Sequence, residues 1–310
     1  MEKQEDSPVG ERRTEKYCQY LNRWDGSFIY GTTFPKSLRE LPLASVKMSN
    51  LDMSGSDFYK SDLRGADLRS SDFSGSVFRY AKLEAADLRS GYFFKADMRD
   101  CDLTDANLTA ASFLCADLRG SFFRGTIFSK AIFSGADLRQ TQLAEAHLSG
   151  ADLSGADLSR AYLAGGNLRE ASLRQALLVG TDLRDVDARS AHFFKADLRD
   201  ADLRGANLQS ALLFESDMKE ADLKMADLRG ADLSRADLSG ADLQMAHVAG
   251  ANFSDANLRG ANLSGLDLTQ SNLTGADLRG AILTDASLPE GVKAEDFIED
   301  EEPEVEGPGH

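Results

Sequence analysis

From Ser56 to Leu288 an apolar residue returns at every fifth position without a slip of register, and a strict period of five excludes a straight helix and a straight strand alike. Five steps around a 3.6-residue helix rotate the apolar position by roughly 140°, so no continuous apolar face forms. Along a strand the side chains alternate with a period of two, and an odd repeat throws successive leucines to opposite faces. The chain therefore turns a corner in every repeat. Taking the recurrent apolar residue as position i, residues i−2 and i point inward, i−1 points outward, and i+1 with i+2 make the bend.

The 240 residues from Leu51 to Glu290 divide into 48 such units, and Leu, Phe, Met or Val holds the centre of 47 of them, Ala188 being the exception. Position i−2 is Ala, Ser, Thr, Gly or Cys except at Leu51, Val186 and Leu266. Repeated corners of one hand wind the backbone into coils. Coils stack by pairing each short strand with its equivalent one turn later, which gives parallel ladders and a solenoid.

Units such as Ala66-Asp67-Leu68-Arg69-Ser70, Ala116-Asp117-Leu118-Arg119-Gly120 and Ala261-Asn262-Leu263-Ser264-Gly265 resemble the pentapeptide repeat family, whose pattern is a small residue, Asp or Asn, Leu or Phe, a polar residue and a variable one. The resemblance covers about three quarters of the chain. It implies an all-β fold, a right-handed quadrilateral parallel β-helix with twenty residues per coil and about 12 coils. The expected organisation is a disordered N-terminus at 1–16, a capping segment at 17–45 that holds Trp24, Phe28, Ile29, Tyr30 and Phe34, the β-helix at 46–290, and an acidic disordered tail at 291–310. A cap is expected because a bare terminal coil exposes core and unpaired backbone.

With twenty residues per coil, residues twenty apart share a column, so Phe73, Phe93, Phe113 and Phe133 are predicted to stack as an inner aromatic ladder. The narrow interior makes the small residues at i−2 a packing demand. Val186 adds volume two residues before Ala188 removes it, a local exchange on one wall.

No apolar stretch approaches the 18 residues of a membrane span, and the opening Met1-Glu2-Lys3-Gln4-Glu5-Asp6 has no signal-like apolar region. A cytoplasmic protein without a membrane association is expected. Cys18, Cys101 and Cys115 have neither zinc nor disulfide spacing. The repeat itself generates the glycosylation-like triplets Asn107-Leu108-Thr109, Asn252-Phe253-Ser254 and Asn272-Leu273-Thr274, which carry no information.

Some members of the family are acidic DNA mimics that bind DNA gyrase and protect it from inhibitors, so the resemblance offers a topoisomerase as a partner. The net charge is −16, but residues 291–310 contribute −7 of it, and the remainder is sparse beside a duplex with one charge per ~1.7 Å. The wall with centres Phe58, Phe78 and onward carries 12 acidic and 10 basic residues; the next, centred on Leu63 and onward, carries 11 and 6. Asp182, Asp185, Asp202, Asp222 and Asp242 lie on that second wall, the one side that could imitate a phosphate backbone. Gyrase-binding relatives typically dimerise through a C-terminal helix and many carry projecting loops. The repeat block here is uninterrupted, and 291–310 is too acidic for such a helix.

The wall centred on Met53, Phe73 and Phe93 places Tyr92, Phe94, Leu114 and Ile132 outward, and farther on His192, Phe194, Leu212 and Phe214. Contiguous outward apolar groups mark an interaction surface, unless the segment from Tyr17 to Leu43 folds back over the first group. Catalysis has no support: the interior is filled, His147 and His247 stand five coils apart, His192 is isolated, and no phosphate loop, nucleophile elbow or paired-cysteine motif occurs. No cofactor, metal or direct nucleic-acid binding is expected. The sequence thus points to a non-enzymatic rod that binds one or more protein partners through its outer faces, with modulation of gyrase or another topoisomerase as the alternative.

Overall fold

A computed structural model of the protein describes residues 36–292. Single-residue parallel bridges join i−1 positions twenty residues apart, from Ser37↔Asp57 to Asp267↔Ser287. Each coil is therefore twenty residues, with four rungs and four two-residue turns. The short strands expected from the sequence are reduced to rungs. A corner at two of every five residues leaves three in extended conformation, and only the middle one completes a bridging pattern.

The unit Ala96–Asp100 shows where the backbone hydrogen bonds go. Ala96 N–H closes the preceding turn on Phe93 O at 3.0 Å, Asp97 N–H reaches Ser76 O in the previous coil at 2.9 Å, and Met98 and Asp100 N–H reach Asp117 O and Arg119 O in the next coil at 2.8 and 3.0 Å. The fifth donor, Arg99 N–H, goes to the Asp97 carboxylate at 3.3 Å. All five donors are thus satisfied, the condition for a backbone folded this tightly around its core. The aspartate at i−1 is a corner residue whose side chain replaces a backbone acceptor.

The turns carry a left-handed residue at i+2 from Glu40 to Asp285, Gln270 excepted. Glycine supplies it at Gly120, yet Lys95, Asp100 and Met225 adopt φ of 54°, 57° and 58°. The stacked rungs on either side hold these residues in a region that L-amino acids otherwise avoid.

Centres and i−2 residues fill the interior. Phe73, Phe93, Phe113 and Phe133 stack with centroids 5.2, 4.9 and 5.0 Å apart and planes within 14°, and Phe58 stacks on Phe78 at 4.6 Å on the neighbouring wall. Serine and threonine at i−2 remain buried because their hydroxyls donate to a central-residue carbonyl, either one coil back, as Ser71 to Met48 at 2.6 Å and Thr126 to Leu103 at 2.7 Å, or three residues earlier, as Thr141 to Leu138 and Ser216 to Leu213 at 2.6 Å. Val186 and Ala188 are both buried, and Gly166 lies one coil beneath Val186, bonded through its carbonyl to Asp187 N–H at 2.9 Å.

Coils begin earlier than position 46. Leu38 and Leu43 are buried centres, and Ser37 and Pro42 bridge Asp57 and Asp62, so 36–45 belongs to the stack and not to a separate cap. Lys36 and Leu41 stand at i−2 there, which hid the register from a rule that asks for small residues. The rest of the expected cap, its fold-back over Tyr92, and the tail from 293 fall outside the described residues.

Candidate functional site

The outer surface is built from three positions of each unit. The i−1 side chain stands mid-wall, and i+1 and i+2 stand at the corner. Where Asp at i−1 is followed by Arg at i+1, the guanidinium clasps the carboxylate: Arg99 Nη2 to Asp97 Oδ2 at 2.6 Å and Nε to Oδ1 at 2.7 Å. The same Arg reaches the aspartate of the next coil, so Asp97, Arg99, Asp117, Arg119, Asp137, Arg139 and Asp157 form a continuous ladder with between-coil distances of 3.5, 3.4 and 3.5 Å. Hydrogen bonding from Arg99 holds the Asp97 carboxyl below its ordinary pKa, and the pairing raises Arg99.

The five acidic residues of the Leu63 wall meet the same chemistry. Asp182 pairs with Arg184 at 2.7 Å, Arg184 reaches Asp202 at 3.6 Å, Asp202 pairs with Arg204 at 2.6 Å, and Arg204 reaches Asp222 at 3.7 Å. Lys224 then links Asp222 at 3.5 Å to Asp242 at 2.8 Å. Four of the five carboxylates are thus interleaved with cations. Asp185 stands apart at the corner with a φ of 55°.

On the Phe93 wall Tyr92, Phe94, Leu114, Ile132 and Leu212 are exposed at 57, 41, 38, 42 and 36%. His192, Phe194 and Phe214 are half-buried. Tyr92, Ser112 and Ile132 are successive rungs, as are His192 and Leu212. Phe194 and Phe214 stack on each other at 4.3 Å, which half-covers both. Lys95 Nζ and Lys195 Nζ each lie 5.0 Å from the ring centroid of the preceding phenylalanine, within the range of a cation–π contact.

Other outward apolar residues did not stand out in the sequence: Phe122, Ile127, Tyr162, Leu177, Met225 and Met245 are all exposed. With Ile132, Phe122 and Ile127 give one coil apolar groups on three successive walls. A scan of every wall for i−1 positions lacking Asp or Asn would have found the first four; Met225 and Met245 stand at i+2. Among the described residues no group of three or more His, Cys, Asp or Glu side chains is placed to hold a metal, and no helix is long and apolar enough to cross a membrane. Cys101 is fully buried, its thiol donating to Phe78 O at 2.8 Å, and burial pushes its pKa up.

The family model for pentapeptide repeats matches the chain in stretches that cover residues 43–125 and 131–288. No curated protein matches it. Among solved structures, HetL, a pentapeptide repeat protein involved in heterocyst differentiation regulation from the cyanobacterium Nostoc sp. strain PCC 7120, is 31% identical over 83% of this chain and 90% of its own, with a TM-score of 0.31. QnrB1, a plasmid-mediated fluoroquinolone resistance protein, is 22% identical over 62% of this chain and 89% of its own, with a TM-score of 0.31. A pentapeptide repeat protein from the Arabidopsis thaliana thylakoid lumen is 31% identical over 46% of this chain and 72% of its own, with a TM-score of 0.12.

Proposed function

Since the chain belongs to the pentapeptide repeat family, we propose that it is a non-enzymatic, rod-like scaffold that binds protein through the outward aromatic groups of the Phe93 wall. In this reading the stack is a right-handed, four-sided β-helix of about 12 coils, working in the cytoplasm. The observation that carries it is the Phe194–Phe214 stack at 4.3 Å, on the same wall as the exposed Tyr92, Phe94, Leu114 and Ile132. Outward aromatics contribute nothing to the filled interior and form two clusters on one wall, apolar surface of the kind that marks association sites.

Affinity capture from the native cell with the wild-type protein and with Phe194→Ser/Phe214→Ser tests this reading. A specific partner that disappears with the double substitution supports it. Identical capture by both proteins, with the variant still folded, refutes it.

The topoisomerase alternative draws on QnrB1, whose name refers to fluoroquinolone resistance, and would use Asp182, Asp185, Asp202, Asp222 and Asp242. Interleaved Arg184, Arg204 and Lys224 reduce the field such a face can project. A gyrase supercoiling assay with the purified chain reads it directly.

A further inference from the structure

The two aromatic clusters of the Phe93 wall repeat one another. Gly91-Tyr92-Phe93-Phe94-Lys95-Ala96-Asp97 and Ala191-His192-Phe193-Phe194-Lys195-Ala196-Asp197 are one hundred residues apart, which is five coils, or about 24 Å along the stack. Each presents a phenylalanine ring with a lysine amine 5.0 Å from its centroid. Between the clusters the wall is low, with Ser134, Gly135, Ser154 and Gly155 at its corners. Its charged groups from 91 to 215 are Lys95, Arg174 and Lys195 against Asp152 and Glu215. This segment is close to neutral on a chain of net charge −16.

We infer that this wall docks a second copy of the chain, antiparallel, about a two-fold axis through Leu153; the inference rests on the reading that the wall binds protein. A two-fold axis normal to the wall reverses both the stacking direction and the run of the backbone, so the residue before a centre meets the residue after a centre of the other copy. With the axis at Leu153, Tyr92 faces Phe214 of the second copy, Phe94 faces Leu212, and Leu114 faces His192. Ile132 meets the aliphatic stem of Arg174. Tyr92, Phe94 and Leu114 therefore meet the other cluster, twice over by symmetry, while Phe194 faces Ser112. At the axis Asp152 faces Ser154 and not another aspartate.

One other register is partly matched: with the Phe93 and Phe193 units facing each other, Tyr92 meets Phe194 and Phe94 meets His192, but Phe214 falls against Asp72 and Leu114 against Ser172. The balanced charge of this segment permits close approach of two copies, whereas the Leu63 wall, with 11 acidic and 6 basic residues, repels its own copy.

Sedimentation of the full chain, with a register-specific rescue, tests the proposal. The wild type is expected at twice the 33.7 kDa chain mass. Leu114→Asp is expected to weaken the dimer at least ~10-fold, because the apolar side chain against His192 is lost and the new carboxylate is stripped of water in the contact. Leu114→Asp/His192→Lys is expected to recover the dimer to within ~3-fold, since the new carboxylate faces the new amine in both reciprocal contacts. Circular dichroism melting confirms that each variant is folded. A wild type that stays monomeric at tens of micromolar overturns the inference, as does a double variant no better than Leu114→Asp. If the monomeric wild type still captures another protein that Phe194→Ser/Phe214→Ser loses, the second copy is refuted while the protein-binding reading stands.

Discussion

His247 and Asp267 stand one coil apart in the same column, yet they are the one stacked i−1 pair between Ser37 and Ser287 that forms no bridge. Rungs resume on the next walls, at Asn252↔Asn272 and Asn257↔Asp277, so the stack is split on one side only. The backbone N–H groups of Met245, Val248, Gly250 and Asp267 lack the between-coil bonds that their counterparts make. A notch of about 350 Å³ opens there, bordered by Arg229, Met245 and His247. Leu266, a buried leucine at the small i−2 position, departs from the pattern at this split, with Ala246 one coil beneath it and Leu268 beside it. Val186 is the contrasting case: Gly166 beneath it and Ala188 beside it give up the volume it needs, and the rung Asn167↔Asp187 survives.

Leu266→Ala should close the split. Amide hydrogen exchange is expected to slow at Val248 and Gly250, toward the protection of Leu228 and Gly230 one coil earlier. The stability cost should fall below the ~2–5 kcal/mol of an ordinary buried Leu→Ala change, because hydrogen bonds worth roughly 1 kcal/mol each are regained. Unchanged exchange at both amides would show that another residue holds the coils apart.

The exchange of volume at Val186 and Ala188 gives a coupling prediction. Ala188→Leu alone overfills the wall and should destabilise by ~1–3 kcal/mol. Adding Val186→Ala should return most of that loss in thermal or denaturant unfolding. Equal stability of the single and double variants would remove the coupling.

The two roles of a corner aspartate are separable at Asp97. Asp97→Asn keeps an oxygen for the Arg99 N–H, as Asn107 does for Thr109 at 3.0 Å, but loses the charge ladder to Arg99. Asp97→Ala loses both. The expected order of stability is wild type, then Asn within ~1 kcal/mol, then Ala lower by a further ~1 kcal/mol for the orphaned donor. The wild-type to Asn step alone should shrink with added salt.

Acid sensitivity follows from carboxyls held below their ordinary values. Asp227 is lowered to about 2, chiefly by its hydrogen bonds from Arg229, with Gln209 adding another. A depressed Asp contributes stability that is fully present above its unfolded value of about 3.9 and is lost as pH falls through the folded value. Asp227 is partly solvated, so its share is on the order of 1 kcal/mol after screening. Between about pH 4 and pH 2 the wild type should lose more stability than Asp227→Asn; parallel pH profiles would contradict this.

Much of this arrangement was legible beforehand. The period of five placed every centre and i−2 residue inside, predicted the Phe73 to Phe133 ladder, and put Tyr92, Phe94, Leu114 and Ile132 on the outside. The start of the stack at Ser37 was not legible, because Lys36 and Leu41 break the small-residue rule. Nor was the split at His247, since Leu266 and Val186 look alike as departures from a pattern.

The sequence by itself determined which residues are neighbours: in a chain whose coils touch only the coils above and below, a fixed repeat length sets every column. Tertiary structure alone decided whether neighbouring coils actually join. A rung forms only if the side chains beneath it fit the volume of that corner, as they do under Val186 and do not under Leu266. It also decided how far charge is cancelled, because an arginine two residues after an aspartate clasps that aspartate and bridges to the next coil only where the side-chain geometry brings the two within reach.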